Sequence, residues 1–167
     1  MHLIHHLISA KELAGLIDSK LPSLRIFDCR HNLADPQAGL AQYVSGHIPG
    51  ATHVHLDQDL SDLVGFDAQG RHRGRHPLPS ASDMSKRFGS WGIGAETDVV
   101  VYDDMNGAIA ARLWWMLRAV GHTRVRVLDG GYAAWLRYVA ECRDALQCVS
   151  TNVEPLIVSD AVYPGAF

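Results

Sequence analysis

The sequence has little cysteine, no long apolar run and no excess of basic charge. Its three cysteines, Cys29, Cys142 and Cys148, are an odd number without C-x-x-C spacing. That argues against a disulfide framework or a structural zinc site, and for reduced thiols. No apolar stretch approaches the roughly 20 residues that span a bilayer. The segment Met1-His2-Leu3-Ile4-His5-His6 lacks the basic head and apolar core of a signal peptide. A cytoplasmic protein without a membrane partner is expected. Fifteen Lys and Arg against 18 Asp and Glu leave a formal charge of −3, which gives no electrostatic footprint for nucleic acid. Histidine is the exception to this scarcity, but His2, His5 and His6 sit at the amino terminus and His72 and His76 in a basic stretch. No convergent ligand spacing results, so neither a metal nor a cofactor is expected.

What is present is core. With 167 residues, 47% of them hydrophobic, the chain suffices for one domain and is short for two. Ser9-Ala10-Lys11-Glu12 has capping-box form, and Ala10, Leu13 and Ile17 continue at helical spacing, predicting a helix over 10–18. Leu24 to Cys29 is a short apolar run that predicts a buried strand, and a helix is expected around 37–45, stopped by Gly46-His47-Ile48-Pro49-Gly50. A strand over 52–56 follows, then a long surface loop over 57–80 rich in Gly, Pro and Arg. A helix opens at Ser82-Asp83 with Met84, Phe88 and Trp91 on one face. The strand Val99 to Tyr102, a helix marked by Ile109, Leu113, Met116 and Val120, the strand Val125 to Leu128 and a helix bearing Tyr132, Trp135, Leu136 and Val139 complete the pattern. Strand–helix alternation implies an α/β fold, a mainly parallel sheet with helices on both faces. Residues 149–167 read as a linker or tail.

The chemistry is expected where Val99-Val100-Val101-Tyr102 runs into Asp103-Asp104-Met105-Asn106-Gly107 before a helix. Such a junction gathers backbone N–H groups that favour an anion. The loop offers carboxylates and no thiol. Asp129-Gly130-Gly131 lacks phosphate-loop spacing and is explained by capping and a tight strand exit.

Several segments occur together and in order: Phe27-Asp28-Cys29-Arg30, Tyr43-x-x-Gly46-His47-Ile48-Pro49-Gly50-Ala51, Gly74-Arg75-His76-Pro77-Leu78-Pro79, Tyr102-Asp103-Asp104, Ala111-Arg112-Leu113-Trp114-Trp115-Met116 and Leu128-Asp129-Gly130-Gly131-x-x-x-Trp135. In these the chain resembles the rhodanese-like sulfurtransferases, most of all the amino-terminal half of tandem-domain thiosulfate and 3-mercaptopyruvate sulfurtransferases. The resemblance covers about residues 7–148. It implies a single rhodanese-like domain over 1–148 and an absent second domain after the linker. In active members the loop after this strand begins with a cysteine whose thiolate carries the sulfane sulfur. Asp103 stands at that position here. A carboxylate is a poor nucleophile toward sulfur and its charge repels a thiosulfate dianion, so the chain alone is expected to be inactive.

The resemblance further places Asp57 and His76 near the interface with a catalytic rhodanese domain, as accessory groups of a shared site. A histidine there can orient substrate or relay a proton. The residues 103–107 form the expected anion cradle. Cys29 is weighed as an alternative nucleophile and set down as a packing thiol, and Asp103 with Asp104 as a minor acid–base alternative. His47 is expected to bond neighbouring loop backbone and so fix the turn from Gly46 to Ala51. Trp114, Trp115 and Trp135 are expected in the core or at a domain interface. Without its partner the chain should expose an apolar face and self-associate. The alternative is a stand-alone, non-catalytic module that binds a protein or a small anion through the Asp103–Gly107 loop.

Overall fold

A computed structural model describes residues 6–63 and 65–144. The elements run β1 (Leu7–Ile8), α1 (Ala10–Asp18), β2 (Leu24–Asp28), α2 (Ala38–Ser45), β3 (Ala51–His53), α3 (Leu56–Asp59), α4 (Ala81–Ser90), β4 (Asp98–Tyr102), α5 (Ala110–Ala119), β5 (Val125–Leu128) and α6 (Gly131–Asp144). Five strands form one sheet in the order β1-β5-β4-β2-β3, every pair parallel. The expected linker 149–167 and Cys148 lie outside the described residues. No described helix is long and apolar enough to cross a membrane.

β4 explains why the sheet is covered twice. Its residues alternate between faces: Val99 and Val101 join Phe27, Met84, Phe88, Leu113, Met116 and Leu117 in one core, and Val100 and Tyr102 join Ile8, Leu13, Ile26 and Trp135 in the other. A central strand apolar from Val99 to Tyr102 is buried on both sides, as parallel sheets require. α4 and α5 cover the first face, α1 and α6 the second. The α1 capping box is formed, with Ser9 Oγ accepting from Glu12 N at 3.2 Å and Glu12 Oε2 from Ser9 N at 2.9 Å.

Three local differences from the sequence reading have physical causes. β1 is two residues long, too short for any period. The strand expected over 52–56 ends at His53, because His55 caps a four-residue helix instead: its Nδ1 accepts from Asp57 N at 3.1 Å and Gln58 N at 3.4 Å. Histidine is outside the usual capping set, so the composition hid α3. The cap of α4 is Ser80, whose side chain accepts from Asp83 N, which starts that helix ahead of Ser82. In addition Cys142 is disulfide-bonded, against the reduced thiols expected, and Cys29 is free and buried.

The stretch after α3 is a structured loop. Arg73 pairs with Asp62 at 2.8 Å, Arg71 with Asp67 at 2.7 Å, and Phe66 and His72 form an antiparallel bridge. Arg71 and Arg73 thus bind acids of the loop itself, while Arg75 donates to the Leu33 carbonyl outside it. Gly131 shows how tightly α6 meets the β4 loop. Its φ is +58°, a Cβ there would lie 2.3 Å from the Asp103 carbonyl oxygen, and that oxygen accepts from Tyr132 N at 2.9 Å. The Gly-Gly pair thus makes a strand exit and a close backbone approach.

Candidate functional site

β2 and β4 are neighbours whose chain continuations depart in opposite directions, to β3 on one side and β5 on the other. This is the sheet's topological switch point, and ligand sites of open α/β folds form beyond the carboxyl ends of the strands there. The loops leaving Asp28 and Tyr102 enclose an open cleft of about 400 Å³ lined by His31, Asn32, Leu33, Ala34, Gln42, Asp104 and Met105. Gln42 Nε2 donates to Asp104 Oδ2 at 3.2 Å and ties α2 to the β4 loop.

Asp103 does not face this cleft. It is 1% exposed. Its Oδ1 accepts from Met105 N at 2.9 Å and Gly107 N at 2.8 Å, and its Oδ2 from Ile109 N at 2.9 Å and Ala110 N at 2.8 Å. Positive φ at Asn106 (55°) and Gly107 (86°) curls the chain around the carboxylate, conformations that Asn and Gly tolerate best. The converging N–H groups expected of an anion cradle are present, and their anion is the chain's own side chain. Ile109 and Ala110 belong to the ring although the cradle was expected to end at Gly107. Of the expected residues, Asp104 and Met105 line the cleft.

Beneath the cleft lies a buried polar frame. Asp28 accepts from Arg30 Nε at 3.0 Å through both oxygens, from Arg30 Nη2 at 2.6 Å and from Tyr102 Oη at 2.8 Å. Arg30 Nη2 also donates to the Gly46 carbonyl at 2.7 Å, and its guanidinium stacks 4.1 Å over the Tyr132 ring. Burial opposes the Arg30 charge, but the hydrogen-bonded Asp28 carboxylate outweighs it and raises the arginine's pKa. Burial, then the Asp28 charge, pushes the Tyr102 phenol far up, so it remains a donor, and it also accepts from Ile48 N at 3.2 Å. Cys29 points into the core. Its thiol is pushed well up by burial first and then by Asp28, Asp103 and Asp59, the opposite of what a nucleophilic thiol needs.

Histidines and acids gather at the outer side of this frame. His76 Nε2 lies 2.8 Å from Asp57 Oδ1, so the two residues weighed together from sequence meet across the 57–76 loop. The contact is close but not aligned as a hydrogen bond. His31 is buried with its Nε2 unpartnered, its ring perpendicular to that of His55 at 5.2 Å. His53 Nε2 donates to the Arg30 carbonyl at 3.3 Å. Burial lowers the pKa of both His31 and His53. Sequence reading missed His31 because its only signal was its place just after the β2 end. His47 Nδ1 meets the Tyr43 carbonyl at 2.9 Å and the ring stacks on Tyr43 at 4.0 Å, so its backbone partner belongs to α2 and not to the loop where it was expected. Trp135 is in the core on the α1 and α6 face, Trp114 packs against the core on the α4 and α5 face, and Trp115 is exposed.

The lowered values fix a pH dependence. The unfolded imidazoles take up a proton near 6.5 and the folded ones only at lower pH, so the unfolded state binds more protons in between. Stability contributed by His31 and His53 is therefore complete above about pH 6.5 and lost as the pH falls through their lowered folded values. Urea midpoints measured between pH 7.5 and 5 are expected to fall, and more shallowly in His31→Gln and His53→Gln. An equal slope in both variants would show that other groups set it.

A rhodanese-like domain model matches residues 9–138. The chain is 47% identical over 131 residues to the putative thiosulfate sulfurtransferase SseB of Mycobacterium tuberculosis, covering 77% of this chain and 43% of that protein. It is 42% identical over 130 residues to a probable 3-mercaptopyruvate sulfurtransferase of Pseudomonas aeruginosa, covering 77% and 44%. Among solved structures, the 3-mercaptopyruvate sulfurtransferase from Leishmania major superposes with a TM-score of 0.69 at 31% identity, covering 82% of this chain and 35% of that one. SseA from Escherichia coli superposes with 0.64 at 31% identity, covering 81% and 48%. The chain thus spans less than half the length of the curated relatives it matches. With the strand order, the switch-point cleft and this match over most of its length, the chain belongs to the rhodanese-like family.

Proposed function

We propose that this chain is the amino-terminal, non-catalytic half of a tandem-domain sulfurtransferase acting on thiosulfate or 3-mercaptopyruvate, with residues 1–148 as the domain and 149–167 as the link to a catalytic rhodanese domain. The observation that carries the reading is the state of the β4 loop: all four inward N–H groups are bound by Asp103. Asp103 then replaces the sulfur-carrying cysteine in position and fills the space a persulfide needs. Sulfur transfer requires an exposed, low-pKa thiolate held by free donors, and neither Asp103 nor the buried Cys29 supplies one.

The role left to this half is to close one side of the active-site cleft and to present Asp57 and His76 to it. A carboxylate beside an imidazole at 2.8 Å is an acid–base arrangement, and unbound sites often hold such pairs loosely until substrate arrives. Leu33 and Met105 border the cleft exposed, and Leu40 and Val44 share an exposed stripe of α2, which supports a covered face and self-association when it is bare. The stand-alone alternative keeps a protein ligand on this cleft but loses its small-anion form, since the donors of the loop are already bound.

The test is a thiosulfate:cyanide and 3-mercaptopyruvate:cyanide assay on the purified 167-residue chain beside its Cys29→Ser variant. No turnover in either is expected. Turnover in the parent that disappears in Cys29→Ser would overturn the non-catalytic reading.

A further inference from the structure

One guanidinium grips the backbone behind both members of the Asp57–His76 pair. Arg112 lies in the first turn of α5. Its Nε and Nη2 donate to the Leu60 carbonyl at 3.0 and 2.9 Å, and Nη2 also reaches the carbonyls of His76 at 2.9 Å and Pro77 at 3.2 Å. Leu60 is the C-cap of α3, the helix that carries Asp57. A single side chain therefore holds the end of the acid's helix and the histidine's own peptide group.

The 2.8 Å contact between the side chains of the pair lacks hydrogen-bond alignment, so it has little directional hold of its own and the backbone that carries each side chain matters for their separation. Arg112 forms no ion pair among the described residues, and burial lowers its pKa. A cation withdrawn from water without a counterion is a costly way to add stability. What the arginine offers is shape: a planar fork that donates to carbonyls of two chain segments together, which a lysine ammonium on its flexible stem matches poorly. The start of α5 is fixed in turn, because Ile109 N and Ala110 N are bound by Asp103. Placement thus passes from the filled β4 loop through Arg112 to the pair.

We propose that Arg112 is the positioning residue of the Asp57–His76 pair, setting the separation of carboxylate and imidazole from behind; its functional meaning rests on the reading of that pair given above. The test is made on the ¹⁵N-labelled chain, by long-range ¹H–¹⁵N spectra of the imidazole rings at fixed pH in the parent, Asp57→Asn, Arg112→Ala and Arg112→Lys. Both Arg112 variants are expected to move the His76 ring signals most of the way to their Asp57→Asn positions. The His47 ring, held by the Tyr43 carbonyl on α2, should stay in place. His76 signals unmoved in both Arg112 variants, while Asp57→Asn moves them, would overturn the proposal. So would His47 shifting along with His76 in Arg112→Lys, which would mean general loosening. If Arg112→Ala fails to fold, Arg112→Lys decides alone. His76 signals unmoved in Asp57→Asn would sink the pairing itself, an outcome separable from failure of Arg112 because the spectra read ring environment and not turnover.

Discussion

Asp103→Ala is expected to lower the unfolding free energy by roughly 3–5 kcal/mol, because four N–H groups, two of them buried and two part-buried, lose a charged acceptor and hydrogen bonds to charged groups are worth about 1.5–3 kcal/mol each without adding fully. The measurement is a urea titration followed by tryptophan fluorescence. The donors of Met105, Gly107, Ile109 and Ala110 sit within 2.9 Å of the carboxylate, and water has little access to a residue that is 1% exposed. Asp103→Asn should be nearly as damaging despite its similar shape. One oxygen can satisfy one pair of N–H groups, but the amide nitrogen then meets the other pair donor to donor. Formate added to Asp103→Ala should recover part of the loss by occupying the vacated position, and should do nothing for Asp103→Asn. Formate rescue absent in Asp103→Ala, with both variants close to parent stability, would mean that the ring of donors does not hold the loop. Asp103→Cys is expected to remain without sulfurtransferase turnover, since a sulfur there is sealed from substrate.

The same residue marks the limit of what could be read from the sequence. That a buried strand of an α/β sheet would run through this loop into a helix was legible, because the apolar run at 99–102 and the helical period from Ile109 point to it; that the loop lies at the switch point follows only from the strand order. Where the Asp103 side chain points was not legible. A loop with positive φ at Asn106 and Gly107 turns its amides inward, and whether they meet an external anion or the loop's own aspartate depends on chain curvature. The Asp followed by Asn-Gly before a helix was the available hint, since Asp often bonds backbone shortly after itself. Asp57 and His76 show the opposite case. They are 19 positions apart in a stretch without periodicity, so only the family resemblance singled them out together, and their 2.8 Å contact is a feature that no local pattern announces. Arg112 stood in a noted segment without a role because nothing local shows that a helix-borne arginine has three carbonyls to serve.

Arg30→Met is expected to be the other severe substitution, again costing roughly 3–5 kcal/mol, the range for breaking a buried pair and stranding one charge. Asp28 is fully buried and Arg30 nearly so, with the 2.6 Å contact between them out of reach of solvent screening. Removing the guanidinium leaves Asp28 with Tyr102 Oη and the Arg30 backbone N–H as its remaining donors. Removing both charges in Asp28→Asn/Arg30→Met should recover much of the loss, because neither partner is then stranded, and the double-mutant cycle separates this from lost packing. Strict additivity of the two single costs would show that the pair is not coupled. The coupling matters for the site because the frame holds more than itself. Arg30 ties the loop after β2 to the Gly46 carbonyl and to the Tyr132 ring of α6, and Tyr102 carries it to β4 and Ile48. The cleft at the switch point is shaped by loops that all leave this frame, so the Arg30→Met chain, even where still folded, should lose the ordered His31 ring above it. The His31 imidazole signals report that directly: they should broaden or move in Arg30→Met and return toward their parent positions in the double variant.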